Sequence, residues 1–295
     1  MTLCIAAACK HQDVPAIVLC ADCRAEKGVA AYSEGRIGSN DAEKIREIGQ
    51  SFAALLSGVP TKADELLAKC DQAIFTFERT VATEDSDIVI THFFEQLRKA
   101  GRLRRQELID HYVAMHTIFS GREEFLKVGK SSLPESEYSE MLRDIERINL
   151  GAEVIVAGFH GSDAIIVRMD ALGETHWEDN YSVIGTGSDI ALAFLCQNDY
   201  SDDMPLPECL FRVYEAKAAS QKNRTVGELT SFQVLIQHKG RFDISDNFFE
   251  QLKSKRRMLT IPSIETEEGW LESLSEEDSA EAEASNPEHA LSSEQ

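Results

Sequence analysis

The sequence predicts an α+β protein in which antiparallel sheets are covered by helices. Three observations predict it. Apolar runs of strand length come in pairs joined by short polar turns. The hydrophobic period then switches to helical spacing near residue 61. The order is strands, helices, strands, helices, strands, in blocks rather than in alternation. A chain of 295 residues, 43% of them hydrophobic, has ample material for a core. Residues 1–262 are expected to form one domain with a helical insertion at about 119–150. Residues 263–295 are expected to be a disordered acidic tail.

The first pair of runs is TLCIAAAC and AIVLCADCR, separated by KHQDVP, a hairpin centred near Gln12 and Asp13. A second hairpin reads KIREI, Gly49-Gln50, SFAALLSG. A glycine-containing loop, 28–40, lies between the two. From Thr61 onward Leu66, Leu67, Cys70, Ile74 and Phe75 recur at helical spacing, with Thr61 or Asp64 as the expected cap. A second helix is expected from Ile88 to about Ile118. The charged stretch 121–148 is an additional helical excursion. Strands return in AEVIVAGF and AIIVRMD around the turn HGSD, and an edge follows in HWEDNYSVIGTGS. Helices are expected at 189–196 and 206–221. ELTSFQVLIQHKG is a strand pair or one long strand, and FFEQLKSKRR is a terminal helix.

The formal net charge is −21, and eleven acids with no Lys or Arg stand between Glu265 and the last residue. This balance disfavours nucleic-acid binding, which needs a basic footprint. No apolar stretch approaches the roughly 18 residues of a membrane span. Met1-Thr2 offers no basic region of the kind that opens a signal peptide, so a cytoplasmic location is expected. The seven cysteines are scattered, and the Cys20–Cys23 pair has no partner at zinc spacing. They are expected to be reduced, and no metal site or cofactor is predicted.

The first hairpin carries the chemistry. If residues pair with numbers summing to about 25, Thr2 lies opposite Cys23, beside Asp22 and Arg24. Removal of Met1 would give Thr2 a free α-amine and a hydroxyl on one residue. An amine with a pKa near 8 is a usable base around neutrality, and the threonine–amine pair is an established activated nucleophile. A nearby lysine would favour the deprotonated, nucleophilic form.

Five pieces in order carry a resemblance: TLCIAAAC, LCADCRAE, NDAEKIREIG, AALLSGVPTKADEL and VIGTGSDIALAFL. With them the chain resembles proteasome β subunits and their bacterial relatives, the N-terminal-nucleophile hydrolases, over residues 2–238. The resemblance implies a four-layer αββα sandwich and cleavage of amide, chiefly peptide, bonds. It implies Thr2 as nucleophile, Asp22 and Lys44 as the charge pair that tunes it, and Gly58 as the oxyanion donor. The fourteen-residue step from Lys44 to Gly58 is the family's step. An oxyanion donor is typically worth roughly 3 kcal/mol in the transition state. Arg24, Thr186, Ser188 and Asn223 are implied in the surrounding network. Ala25, Ala42, Leu56, Pro60 and Asp64 are implied as substrate-pocket residues, with an apolar pocket suited to hydrophobic side chains. Assembly with further copies of the chain is implied as well. Whether another protein regulates it is open.

Two departures stand out. The family's Asp-x-x-Ser-Gly is here NRTVG, so Asn223 replaces a carboxylate and Val226 a hydroxyl. An inactive scaffold subunit and a small-molecule amidase are therefore alternatives. Simpler roles also exist for each residue. Asp22 and Arg24 can fix a turn, Lys44 can be a solvated strand residue, Gly58 a strand-end turn, and Ser188 a helix cap.

Overall fold

The computed structural model describes residues 3–22, 25–26, 38–39, 44–49, 51–80, 86–222, 226–227 and 229–260; for a few of these, at 25–26, 38–39, 80, 86–89, 246 and 258–260, the backbone alone. Twelve strands and seven helices lie among the described residues. The chain divides into two units, Met1–Ser245 and Asp246–Gln295.

The opening hairpin joins β1 (Leu3–His11) to β2 (Val14–Asp22) through Gln12 and Asp13, both at positive φ (51° and 66°). Two central residues of that hand make the turn that matches the natural twist of paired strands. Pairing runs from His11↔Val14 to Cys4↔Ala21, so partners sum to 25 as the sequence implies. After the two-residue strands β3 (Ala25–Glu26) and β4 (Gly38–Ser39), a second hairpin joins β5 (Ile45–Ile48) to β6 (Phe52–Gly58).

Helix α1 (Pro60–Thr80) opens at Pro60, and its first bond runs from the Ala63 N–H to the Val59 carbonyl. Thr61 is therefore inside the first turn and Asp64 just beyond it, so neither caps the helix. Proline opens the helix because its fixed φ suits the first helical position and its missing N–H is not needed there. Helix α2 (Ser86–His116) is followed by α3 (Arg122–Ser132) and α4 (Glu135–Arg147), which fill the predicted insertion. They have a small core of their own: Phe119, Phe125 and Ile145 pack against Ile109 and Val113 of α2.

Strands β7 (Ala152–His160), β8 (Asp163–Met169), β9 (Thr175–Trp177) and β10 (Tyr181–Gly185) follow, then α5 (Ser188–Gln197) and α6 (Leu206–Ser220). Strands β11 (Thr230–Ile236) and β12 (Gly240–Asp243) complete the first unit. The expected strand pair at the C-terminal end exists, but its return strand begins at Gly240, beyond the apolar run. Helix α7 (Asp246–Thr260) belongs to the second unit.

Two five-stranded sheets result, each antiparallel throughout: β10-β1-β2-β11-β12 and β5-β6-β7-β8-β9. Cys4, Ala6, Ala8, Ile17, Leu19 and Ala21 of the first sheet form one cluster with Leu55, Ile155, Ala157 and Ile166 of the second. Small side chains of β1 leave room for branched ones of the second sheet, so the two faces interlock. The other face of β6 and β7, with Ala54, Leu56, Val154 and Val156, packs against Leu66, Cys70 and Ile74 of α1 and Phe93 and Leu97 of α2. Phe93 stacks on Phe52 at 4.8 Å and meets Phe77 edge-on at 4.9 Å. Helix α6 lies on β1 and β2. Beside it the Tyr200 hydroxyl donates to the Ala8 carbonyl (2.6 Å), and Ser220 of α6 donates to Gly187 ahead of α5 (3.1 Å).

Because Leu55 is fully enclosed where the two sheets meet, Leu55→Ala is expected to lower the unfolding free energy by roughly 2–5 kcal/mol. Urea titration would register this as a lower midpoint with an unchanged slope. A midpoint equal to that of the parent chain would contradict the packing described.

Candidate active site

The register of the first hairpin decides what the start of the chain can reach. Partners sum to 25 as far as Cys4↔Ala21, and one residue further on Leu3 comes level with Asp22. The Leu3 N–H donates to Asp22 Oδ1 at 2.9 Å. This nitrogen is the one bonded to the carbonyl carbon of Thr2. Asp22 itself is fully buried.

Two more donors converge on the same carboxylate. The Lys44 ammonium donates to Oδ1 at 2.6 Å, and the Gly227 N–H donates to Oδ2 at 3.0 Å. All three contacts are donors, which suits an acceptor-only carboxylate. They come from three separate segments: the start of β1, the residue before β5, and the segment leading into β11. Lys44 is 7% exposed and stands just before β5. A solvated position on a half-exposed strand is thereby excluded for it. Its carbonyl accepts the Leu56 N–H at 3.0 Å, which ties it to β6. The Leu56 carbonyl in turn accepts a bond from Cys4 Sγ at 3.3 Å, which ties β6 back to β1. Burial pushes the Cys4 thiol well above its usual range; Lys44 draws it down, and Asp22 and Glu153 push it up. Cys4 therefore stays a neutral thiol and donates.

Gly58 ends β6 opposite Ala152, two residues beyond Leu56. Its φ is +112°, and a Cβ there would lie 2.4 Å from the Gly151 carbonyl oxygen. Glycine is required at this position on both grounds. The strand stops here because the Val59 N–H turns to bond the Gly151 carbonyl and α1 begins at Pro60.

The turn after β10 reaches the same end of the first sheet, since Gly185 pairs with Leu3. Thr186 is exposed in that turn. Ser188 is half-buried at the first position of α5, and Gly187 occupies the N-cap without a side-chain capping bond. The simpler alternative for Ser188, a helix cap, does not hold: a residue already inside the first turn cannot supply the N-cap. A Cβ on Gly187 would lie 2.7 Å from Val226 and 3.5 Å from Leu3. Val226 is buried and fills the space beside that turn.

Among the expected pocket residues, Leu56 is buried and packs with Ala63 and Leu66 between sheet and helix. Pro60 and Asp64 are exposed at the start of α1. Ala25 is paired with Ser39 through its backbone. Thr2, Arg24, Ala42, Asn223 and the side chain of Ala25 lie outside the described residues. The structure thus joins Asp22 to Lys44 directly and to Gly58 through Leu56. The sequence reading missed the amides of Leu3 and Gly227 and the bridging thiol of Cys4. Backbone donors have no side-chain signature, and only the glycine of NRTVG hinted that a main chain comes close there.

No protein-family model matches the chain, and no curated protein matches it.

Lys44→Met leaves Asp22 buried without its cation. It is expected to cost about 3–5 kcal/mol of stability, and adding Asp22→Asn should recover part of that loss. A double-mutant cycle in urea checks this. Strictly additive losses would mean that the pair does not interact.

Proposed function

We propose that the chain is a threonine-type N-terminal-nucleophile hydrolase that cleaves amide, chiefly peptide, bonds once Met1 is removed. The observation that carries the proposal is the buried Asp22–Lys44 pair, whose carboxylate also binds the amide joined to Thr2. The packing pattern supports a four-layer αββα arrangement, with α1 and α2 on one sheet and α5 and α6 on the other. The resemblance to proteasome β subunits agrees with both.

In this reading Thr2 Oγ attacks the substrate carbonyl while its own α-amine takes the hydroxyl proton. A C–O bond forms, and negative charge collects on the carbonyl oxygen. The Gly58 N–H donates to that oxygen, a contact worth roughly 3 kcal/mol in the transition state. The amine returns the proton to the leaving nitrogen, the C–N bond breaks, and an ester to Thr2 remains. Water hydrolyses that ester and restores the hydroxyl. Lys44, held by Asp22, lowers the energy of the anionic hydroxyl by its charge. The resemblance assigns Thr186, Ser188, Arg24 and Asn223 to the network that serves the amine. The resemblance likewise assigns Ala25, Ala42, Leu56, Pro60 and Asp64 to the substrate site. The chemistry requires no metal or cofactor. A self-associated form follows from the same resemblance. Light scattering should then give a mass above the 32.8 kDa of one chain, and that single-chain mass at every concentration would end the assembly claim.

One observation favours a second reading, an inactive scaffold subunit of the same fold. Val226 fills the space beside Gly187 with methyl groups where the family carries a hydroxyl. Intact mass separates the two readings, because a retained Met1 blocks the amine.

For the hydrolase, the purified chain should be lighter than its sequence by one methionine. Thr2→Ala should abolish turnover of peptide amides, and Thr2→Ser should keep part of it. Equal turnover by Thr2→Ala would refute the proposal.

A further inference from the structure

A second carboxylate, that of Glu153, acts on the Cys4 thiol together with Asp22 and Lys44, and the hydrolysis described above does not use it. Along β6, Ala53 and Leu55 point toward the first sheet, and along β7 Ile155 and Ala157 do the same. Side chains alternate along a strand, so Ser57 and Glu153 continue that face toward the end where Cys4 and Lys44 lie. The two are direct partners in the β6–β7 register, and the next rung is Gly58↔Ala152. Ser57 is buried and Glu153 half-buried. The charge of Glu153 reaches the Cys4 thiol together with the charges of Lys44 and Asp22, so one small region holds all three.

Lys44 donates to Asp22, not to Glu153. Among the described residues no hydrogen bond or ion pair engages the Glu153 carboxylate. A carboxylate that is partly withdrawn from water and unpaired is an unfavourable arrangement on its own. It becomes favourable when a cation arrives to share the site. The position, one rung from Gly58, is where a substrate bound along the end of β6 and β7 would pass.

We infer that Glu153 is a specificity-determining residue that selects a cationic group in the molecule bound at the Asp22–Lys44 site. The substrate class is then a peptide or small amide with a guanidinium, amidine or ammonium near the scissile bond, in addition to any apolar contacts. Ser57 supplies a hydroxyl beside that cation. The inference rests on the hydrolase reading for the word substrate, and on the geometry alone for the cation.

The test uses the full chain, its Glu153→Gln variant and its charge-retaining Glu153→Asp variant. Two readouts are taken. One is the ratio of kcat/KM for a peptide amide carrying arginine over the same peptide carrying leucine. The other is the rise in unfolding midpoint caused by benzamidine, which needs no turnover. The inference expects the ratio to favour arginine and to fall about tenfold or more in Glu153→Gln, the size that loss of one charge-assisted pair gives. The benzamidine shift should vanish in Glu153→Gln and persist in Glu153→Asp. Turnover of the leucine peptide should survive in both variants. If benzamidine binds through Glu153 but neither peptide is cleaved, the cation site stands and the hydrolase reading falls. If both peptides are cleaved with a ratio unchanged in Glu153→Gln, and the benzamidine shift is the same in all three chains, the inference falls and the hydrolase reading stands. Neither cleavage nor binding overturns both.

Discussion

One buried carboxylate organises this end of the molecule. Asp22 has no exposed surface, and it accepts from Leu3, Lys44 and Gly227. Burying a carboxylate is expensive unless its acceptor positions are filled. Three donors from three segments fill them. The requirement works in both directions. Asp22 needs those segments, and the segments take their positions from Asp22.

The consequences spread outward through short links. The Lys44 carbonyl holds Leu56, and the Leu56 carbonyl is held by Cys4, next to Leu3 in sequence. A closed ring of contacts therefore runs from β1 to the other sheet and back. It fixes the end of the two sheets where β6 gives way to α1 at a glycine that admits no side chain. The parity of the opening hairpin is what permits this. A two-residue turn at Gln12 and Asp13 sets Leu3 against Asp22. Sliding the strands by one residue would turn every side chain of β1 to the opposite face.

Much of this was legible in the residues. The run from Leu3 to Cys9 is apolar on both faces because β1 lies between a helix layer and a second sheet, and an uninterrupted apolar run reads as a strand buried on both sides. The hairpin centre followed from the polar pair between two such runs. Asp22 and Lys44 were legible as a pair through the resemblance rather than through spacing, since 22 residues separate them. The start of α1 was misread because Thr61 and Asp64 have the chemistry of caps, whereas the glycine and proline before them dictate the geometry. The contributions of Leu3, Gly227 and Cys4 were not legible. Two are main-chain donors, and the third is a small buried thiol of the kind that usually serves packing alone. The return strand β12 was also hidden, because all four of its residues are exposed and carry no alternating pattern.

The functional account turns on whether the first threonine, freed of its methionine, is the group that the buried pair serves. A β-lactone acylating probe followed by peptide mapping tests this most directly. A β-lactone opens onto a nucleophilic hydroxyl without a leaving group, so the adduct keeps the whole probe mass. The account predicts a single adduct on a peptide that begins with Thr2, lost when Lys44 is replaced by methionine in a chain that still folds. A chain that keeps Met1 and takes up no probe, or an adduct that maps elsewhere while Thr2 stays unmodified, would contradict it.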